Sequence, residues 1–189
     1  MTKILCLAAA LALSGTLVSA QTPSPTPAPS AATPATAPPA IAKPDLTGTW
    51  TLNLEKSNYD QVPPPQDEVI VFAKTGGTFT IATSSDNERG KEVYTLPFTT
   101  DGAETPTPKG VFADTATLQY LSTKGEWQGS SLVLTQTIQY QSSPGTLKST
   151  YTLSPDGKTL TCAMHISVSQ GEFDTTSVYD KQATASKPV

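Results

Sequence analysis

The sequence predicts an all-β fold, an antiparallel up-and-down barrel of about 8–10 strands over residues 45–181. Three observations predict it. Apolar residues recur with period two through most of that span, no segment shows a convincing 3.6-residue period, and turn signals divide the alternating runs at short, even spacing. Strands with one dry face and hairpin connections form a meander, and closing so many strands into a cylinder removes their exposed edges. Two packed sheets are the alternative arrangement of the same strands.

The first run, "DLTGTWTLNLEKSNY" from Asp45, places Trp50, Leu52 and Leu54 inside and Thr49, Thr51 and Asn53 outside. Gly48 shares the face of Trp50 and lets a backbone or a crossing side chain approach where a Cβ would collide. Trp50 then plugs one end of the barrel, burying a ring of roughly 200 Å². "SNYDQVPPPQDE" (57–68) reads as a proline-rich loop, because Pro63, Pro64 and Pro65 have no place in a paired interior strand.

Next come "VIVFAK" (69–74), apolar on both faces, a turn at Gly76-Gly77, and a strand carrying Phe79 and Ile81. "DNERGKE" (86–92) reads as a polar hairpin loop, and Tyr94, Leu96 and Phe98 follow in alternation. A turn is expected at Asp101-Gly102 and an irregular segment over "ETPTPKG" (104–110). Alternation then resumes at Ala116, Leu118 and Tyr120, and again at Leu132, Leu134, Gln136, Ile138 and Tyr140. The last strands carry Leu147, Ser149, Tyr151 and Leu153; then Leu160, Cys162, Met164, Ile166 and Val168; then Phe173, Thr175, Ser177 and Tyr179.

The flanks read differently. Residues 1–20 have the pattern of a signal peptide: Lys3, an apolar run from Ile4 to Leu13, and Val18-Ser19-Ala20 as a small-residue cleavage site. Retention as a membrane anchor is the alternative, although the run falls short of the roughly 20 residues a span needs. Residues 21–44 hold eight prolines and are expected to be a disordered Pro/Ala/Ser/Thr-rich linker, and 182–189 a disordered tail. Export implies a periplasmic or extracellular location.

Cleavage would leave Cys162 alone, so stability must come from a core and not from a disulfide. The span 45–181 holds 16 acidic against 9 basic residues, a net charge of −7, which argues against nucleic acid and anionic lipid as partners. Arg89 is the sole arginine, few for a site that grips phosphates or carboxylates.

Catalytic chemistry finds little material. His165 and Cys162 are three residues apart on one strand and face opposite ways, so they cannot form a nucleophile–base pair. One histidine and one buried thiol are too few ligands for a transition metal, and no cofactor is implied. Asp101 and Asp156 precede glycines and stabilise turns.

The expected ligand-binding interior is lined by Phe79, Tyr94, Leu96, Leu118, Tyr120, Trp127, Leu134, Gln136, Ile138, Tyr140, Tyr151, Met164 and Phe173. These residues could wall a pocket with polar tips that orient a ligand, or fill the barrel solidly. An inward amide at Gln136 favours a pocket, because a dry core would have to supply it with partners.

Gly48-x-Trp50 at the head of the first strand resembles the opening motif of lipocalins and related calycin barrels. More closely, the chain resembles exported bacterial proteins with a lipocalin-like domain, through "DLTGTWTLNLEKSNY" (45–59), "TTDGAE" (99–104), "KGEWQGSSLVL" (124–134), "YTLSPDGKTLT" (151–161) and "VYDK" (178–181). The resemblance implies a barrel and no particular activity. Lipocalins usually pack an arginine from near the last strand across the tryptophan, whereas here that strand ends in Lys181. Two functions are therefore expected of this exported chain. One is a non-enzymatic barrel whose partner is a small hydrophobic or amphipathic ligand in the cell envelope. The other is a structural or interaction module with a solid core, displayed on the proline-rich spacer.

Overall fold

The computed structural model describes residues 42–88, 90–112 and 117–183; the predicted leader, nearly all of the linker, most of the tail, Arg89, Asp114 and Ala116 lie outside them. Ten antiparallel strands form one sheet: β1 (Gly48–Leu52), β2 (Asp67–Thr75), β3 (Thr78–Asn87), β4 (Gly90–Phe98), β5 (Asp101–Pro106), β6 (Leu118–Gln128), β7 (Ser131–Tyr140), β8 (Ser143–Leu153), β9 (Thr159–Val168) and β10 (Gly171–Lys181). Consecutive strands pair throughout, with one exception, and β1 joins β10 through Trp50 opposite Lys181. The exception is β4 and β5, which follow one another yet share no ladder. The result is an up-and-down barrel, closed except for that seam.

The seam has a sequence cause. Pro97 in β4 and Pro106 in β5 each lack an N–H, which suits strands with one unpaired edge. Side chains close the gap. Phe112, from the segment after β5, lies 5.3 Å from the Tyr94 ring and 5.5 Å from the Tyr120 ring, and those two rings are 5.2 Å apart. Nearer the plugged end, β6 passes close under the β4–β5 turn at Gly125. A Cβ there would sit 2.4 Å from the Thr99 carbonyl oxygen and 2.8 Å from Phe98.

Several boundaries differ from expectation. The stretch 104–110 is not wholly irregular: β5 runs through Pro106, and the turn falls at Thr99-Thr100, because Asp101 accepts from the Thr99 hydroxyl at 2.6 Å and the Ala103 amide at 3.1 Å. Most of the expected loop 86–92 is strand: Asp86 and Asn87 end β3 and residues 90–92 begin β4, paired as far as Asn87–Gly90, with Glu88 in the turn. Leu54 is not inside; Asn53 starts a 3-10 turn over Leu54–Lys56 and leaves Leu54 43% exposed.

A bulge at Leu121 lets Tyr120 and Trp127, an odd number of residues apart, face inward from the one strand β6. The bulged Leu121 itself turns out and is 46% exposed.

Candidate functional site

The two ends of the barrel differ. At one end Trp50 is fully buried and donates its indole N–H to the Leu46 carbonyl at 2.9 Å. Phe72, Phe98, Leu132 and Leu160 pack around it, none more than 2% exposed. Gly48 adopts φ +128°, and the Lys181 side chain crosses it to reach the indole. Gly48 and Trp50 thus sit together at this packed end, with the Lys181 ammonium over the indole.

The other end holds a cavity of about 340 Å³, within the roughly 300–1,000 Å³ typical of ligand pockets. Its walls are apolar: Leu118, Ile138, Leu147, Ile166, Val168 and Phe173 from five successive strands. The loop after β1 crosses the mouth and contributes Gln61, Val62, Pro63 and Pro64. That loop is anchored by a reciprocal backbone pair between Asn58 and Thr176 at 2.7 Å, by the Tyr59 hydroxyl 2.8 Å from Ser177 Oγ, and by the Gln66 amide on the Asp86 carbonyl at 2.7 Å. Asn87 and Glu88 at the β3–β4 tip, Tyr140 and Gln170 complete the rim.

A polar belt lies under the cavity. Beneath Leu118 the next inward residue is Tyr120; beneath Ile138 it is Gln136; beneath Leu147, Ser149; beneath Phe173, Thr175; and beneath Asn87, Ser85. β9 alone continues with an apolar residue, Met164 below Ile166. Gln136 is 5% exposed, with its amide nitrogen 3.5 Å from Thr123 Oγ1. The Thr175 hydroxyl, equally buried, has no hydrogen-bond partner among the described residues.

β2 adds a carboxylate to this inner layer, since Glu68 shares the inward face of Ile70 and Phe72. The Tyr179 hydroxyl donates to it at 2.5 Å, and Ser85 also bonds to it. Burial raises its pKa, partly offset by those two hydrogen bonds. Burial also raises Tyr120, Tyr151 and Tyr179, and pushes Tyr94 to about 12.

Of the thirteen interior residues expected, Leu118, Ile138, Tyr140 and Phe173 wall the cavity. Tyr120 and Gln136 belong to the belt, and Met164 sits level with it. Phe79, Tyr94, Leu96, Trp127, Leu134 and Tyr151 pack in or against the core instead. Solid filling and a pocket are alternatives on the sequence alone, yet the barrel contains both, one at each end.

Leu147, Ile166, Val168 and Glu68 are site residues that sequence reasoning does not single out, although alternation extends to each of them. Pro63 and Pro64, expected only as part of a connection, lie at the mouth. His165 lies on the outer face, its Nδ1 2.8 Å from Asp174 Oδ1, away from Cys162. Among the described residues no three His, Cys, Asp or Glu side chains converge as metal ligands, and no helix is long and apolar enough to cross a membrane.

No protein-family model matches the chain, and no curated protein matches it significantly. Solved structures with a similar course include zebrafish ileal bile acid-binding protein complexed with cholic acid, at 17% identity and a TM-score of 0.46, covering 72% of this chain and 98% of that one. Another is the Schistosoma mansoni fatty acid binding protein with arachidonic acid, at 14% identity and a TM-score of 0.45, covering 72% of this chain and 96% of that one.

Proposed function

We propose that this chain is an exported binding protein that takes a small apolar or amphipathic molecule into the mouth of its barrel, in the cell envelope. The observation that carries the reading is the 340 Å³ apolar-walled cavity opposite the Trp50 plug. A barrel built only as a rigid display module gains nothing from leaving that end unfilled, because each methylene-sized gap forgoes packing energy. Export rests on the leader pattern of residues 1–20. A binding role, as opposed to a catalytic one, is favoured by the placement of the reactive groups. The Cys162 thiol is buried and pushed up to about 12 by that burial, and His165 is paired outside the barrel.

The test is uptake of the neutral dye Nile red, together with native mass spectrometry of protein taken from its own envelope. The wild-type chain should take up the dye and carry extra mass. Ile138→Trp and Leu147→Trp, which fill the cavity from its walls, should abolish uptake while leaving the β-sheet circular dichroism intact. A wild-type chain that takes up no dye and flies at its bare mass overturns the reading.

A further inference from the structure

The electrostatics beneath the cavity are one-sided. Glu68 projects into the interior from β2, and Glu92, paired with Ser85 across β3 and β4, shares the inward face of Tyr94 and Leu96. Glu88 stands at the rim. Among the described residues no lysine or arginine lines the cavity, and two lysines on the inward face, Lys74 and Lys181, lie over Phe79 and Trp50. Among the described residues the Glu68 carboxylate has neutral hydroxyls as hydrogen-bond partners, Tyr179 and Ser85. On β10, the strand that also supplies Tyr179, the Thr175 hydroxyl has no partner among the described residues, is 5% exposed and lies one inward position below the cavity wall at Phe173.

We propose that the belt recognises the polar end of the ligand, and that this end is an ammonium group, so that the preferred ligand is a small amphipathic amine. A half-buried carboxylate without a cation is a costly group that gains most from a positively charged donor. An ammonium offers three N–H donors, enough for the Glu68 carboxylate and for neutral oxygens of the belt, of which the Thr175 hydroxyl has lone pairs to spare. Among the described residues, a carboxylate head would meet Glu68, Glu92 and Glu88 without a countercharge. The apolar remainder of the ligand fills the cavity between Ile138, Leu147 and Ile166. The raised pKa of Glu68 agrees with this, since burial is its largest cause and an apposed cation would reverse it.

This inference rests on the cavity being a binding site, and the experiment separates the two ideas. The full chain loaded with Nile red is titrated with decylamine, decanol and decanoate, which share a tail and differ in the head. Decylamine should displace the dye at least about tenfold more tightly than decanoate, with decanol between them, a gap expected for one partly desolvated charge pair. Glu68→Gln should bring the amine and the acid to within a few-fold of each other while leaving decanol unchanged. Thr175→Val should weaken decylamine and decanol by a few-fold. If Nile red and decanol bind but decanoate matches or exceeds decylamine, the ammonium assignment is wrong and the cavity reading stands. The ammonium assignment falls equally if Glu68→Gln leaves the amine-to-acid ratio unmoved. If neither the dye nor any of the three binds, both readings fall together. The wild-type ratio decides the matter even if Glu68→Gln does not fold.

Discussion

The Lys181 ammonium lies 5.0 Å from the centroid of the Trp50 ring, and it reaches there by crossing Gly48, whose Cβ position is 3.2 Å from Lys181 Cε. Three residues thus make one closure: a glycine that leaves room, an indole that fills the end, and a cation that covers the indole. Trp50→Ala should cost about 3–5 kcal/mol in urea denaturation, as for other fully buried large-to-small changes. Lys181→Ala should cost only about 0.5–1 kcal/mol, since the ammonium is exposed, and Lys181→Arg should cost nothing. Gly48→Ala carries both a collision and a left-handed φ, a strain on the order of 1–3 kcal/mol. In the Lys181→Ala background that cost should shrink but persist, because only the collision has been removed. Full additivity of the two substitutions would show that the crossing is incidental.

Glu68 ties stability to pH. Its folded pKa is raised by burial above the ordinary 4.5. Such a group contributes its stability fully below the unfolded value and loses it as pH rises through the folded one. Glu68→Gln removes the titration and keeps an inward polar group. Relative to wild type it should therefore gain stability as pH rises above the ordinary carboxyl value of 4.5, with the two urea midpoints converging at the acid end. Parallel midpoint curves over that range would mean that Glu68 is solvated in the folded chain.

Cys162 should be chemically silent in the native state. It is 4% exposed, and burial pushes its thiol to about 12, so almost no thiolate is present at neutral pH. With Cys6 replaced by serine, Ellman's reagent should label the chain only as fast as it unfolds, and stoichiometrically in denaturant. Rapid labelling without denaturant would place the thiol at a surface.

Much of this architecture is legible in the sequence because period two carries it. Alternation from Leu132 to Tyr140 and from Leu160 to Val168 assigns the inner face of β7 and β9 correctly, since neither strand is interrupted. Alternation fails where one residue changes the phase. The bulge at Leu121 is invisible in composition, and β5 is hidden because Gly102, Pro106 and a register shift suit an edge rather than a ladder. The site is less legible than the fold. Period two says which residues face inward but not how far along the axis the side chains meet. The division into a packed end and an open end depends on where the large rings fall: Trp50, Phe72 and Phe98 at one end, and only Phe173 and Tyr140 at the other. Glu68 escapes notice because a charged residue ahead of an apolar run reads as loop, although two positions back from Ile70 it belongs to the same face.

The seam between β4 and β5 should be held by Phe112 more than by any backbone contact. Its ring stands 5.3 Å from Tyr94 on β4 and 5.5 Å from Tyr120 on β6, so it bridges strands that no ladder joins directly. Aromatic pairs of this kind are worth about 0.5–1.5 kcal/mol each beyond the area they bury. Phe112→Ala forfeits two of them along with the ring's apolar contact, so a loss of about 2–4 kcal/mol is expected. Hydrogen exchange locates the effect better than the total does. Amides of β4 should exchange faster in Phe112→Ala, while those of β8 and β9, paired on both sides, should slow or quicken only with global stability. Phe112→Leu should recover most of the burial but not the ring geometry and fall between the two. Uniform acceleration across all ten strands would show that Phe112 supports the whole core and not the seam.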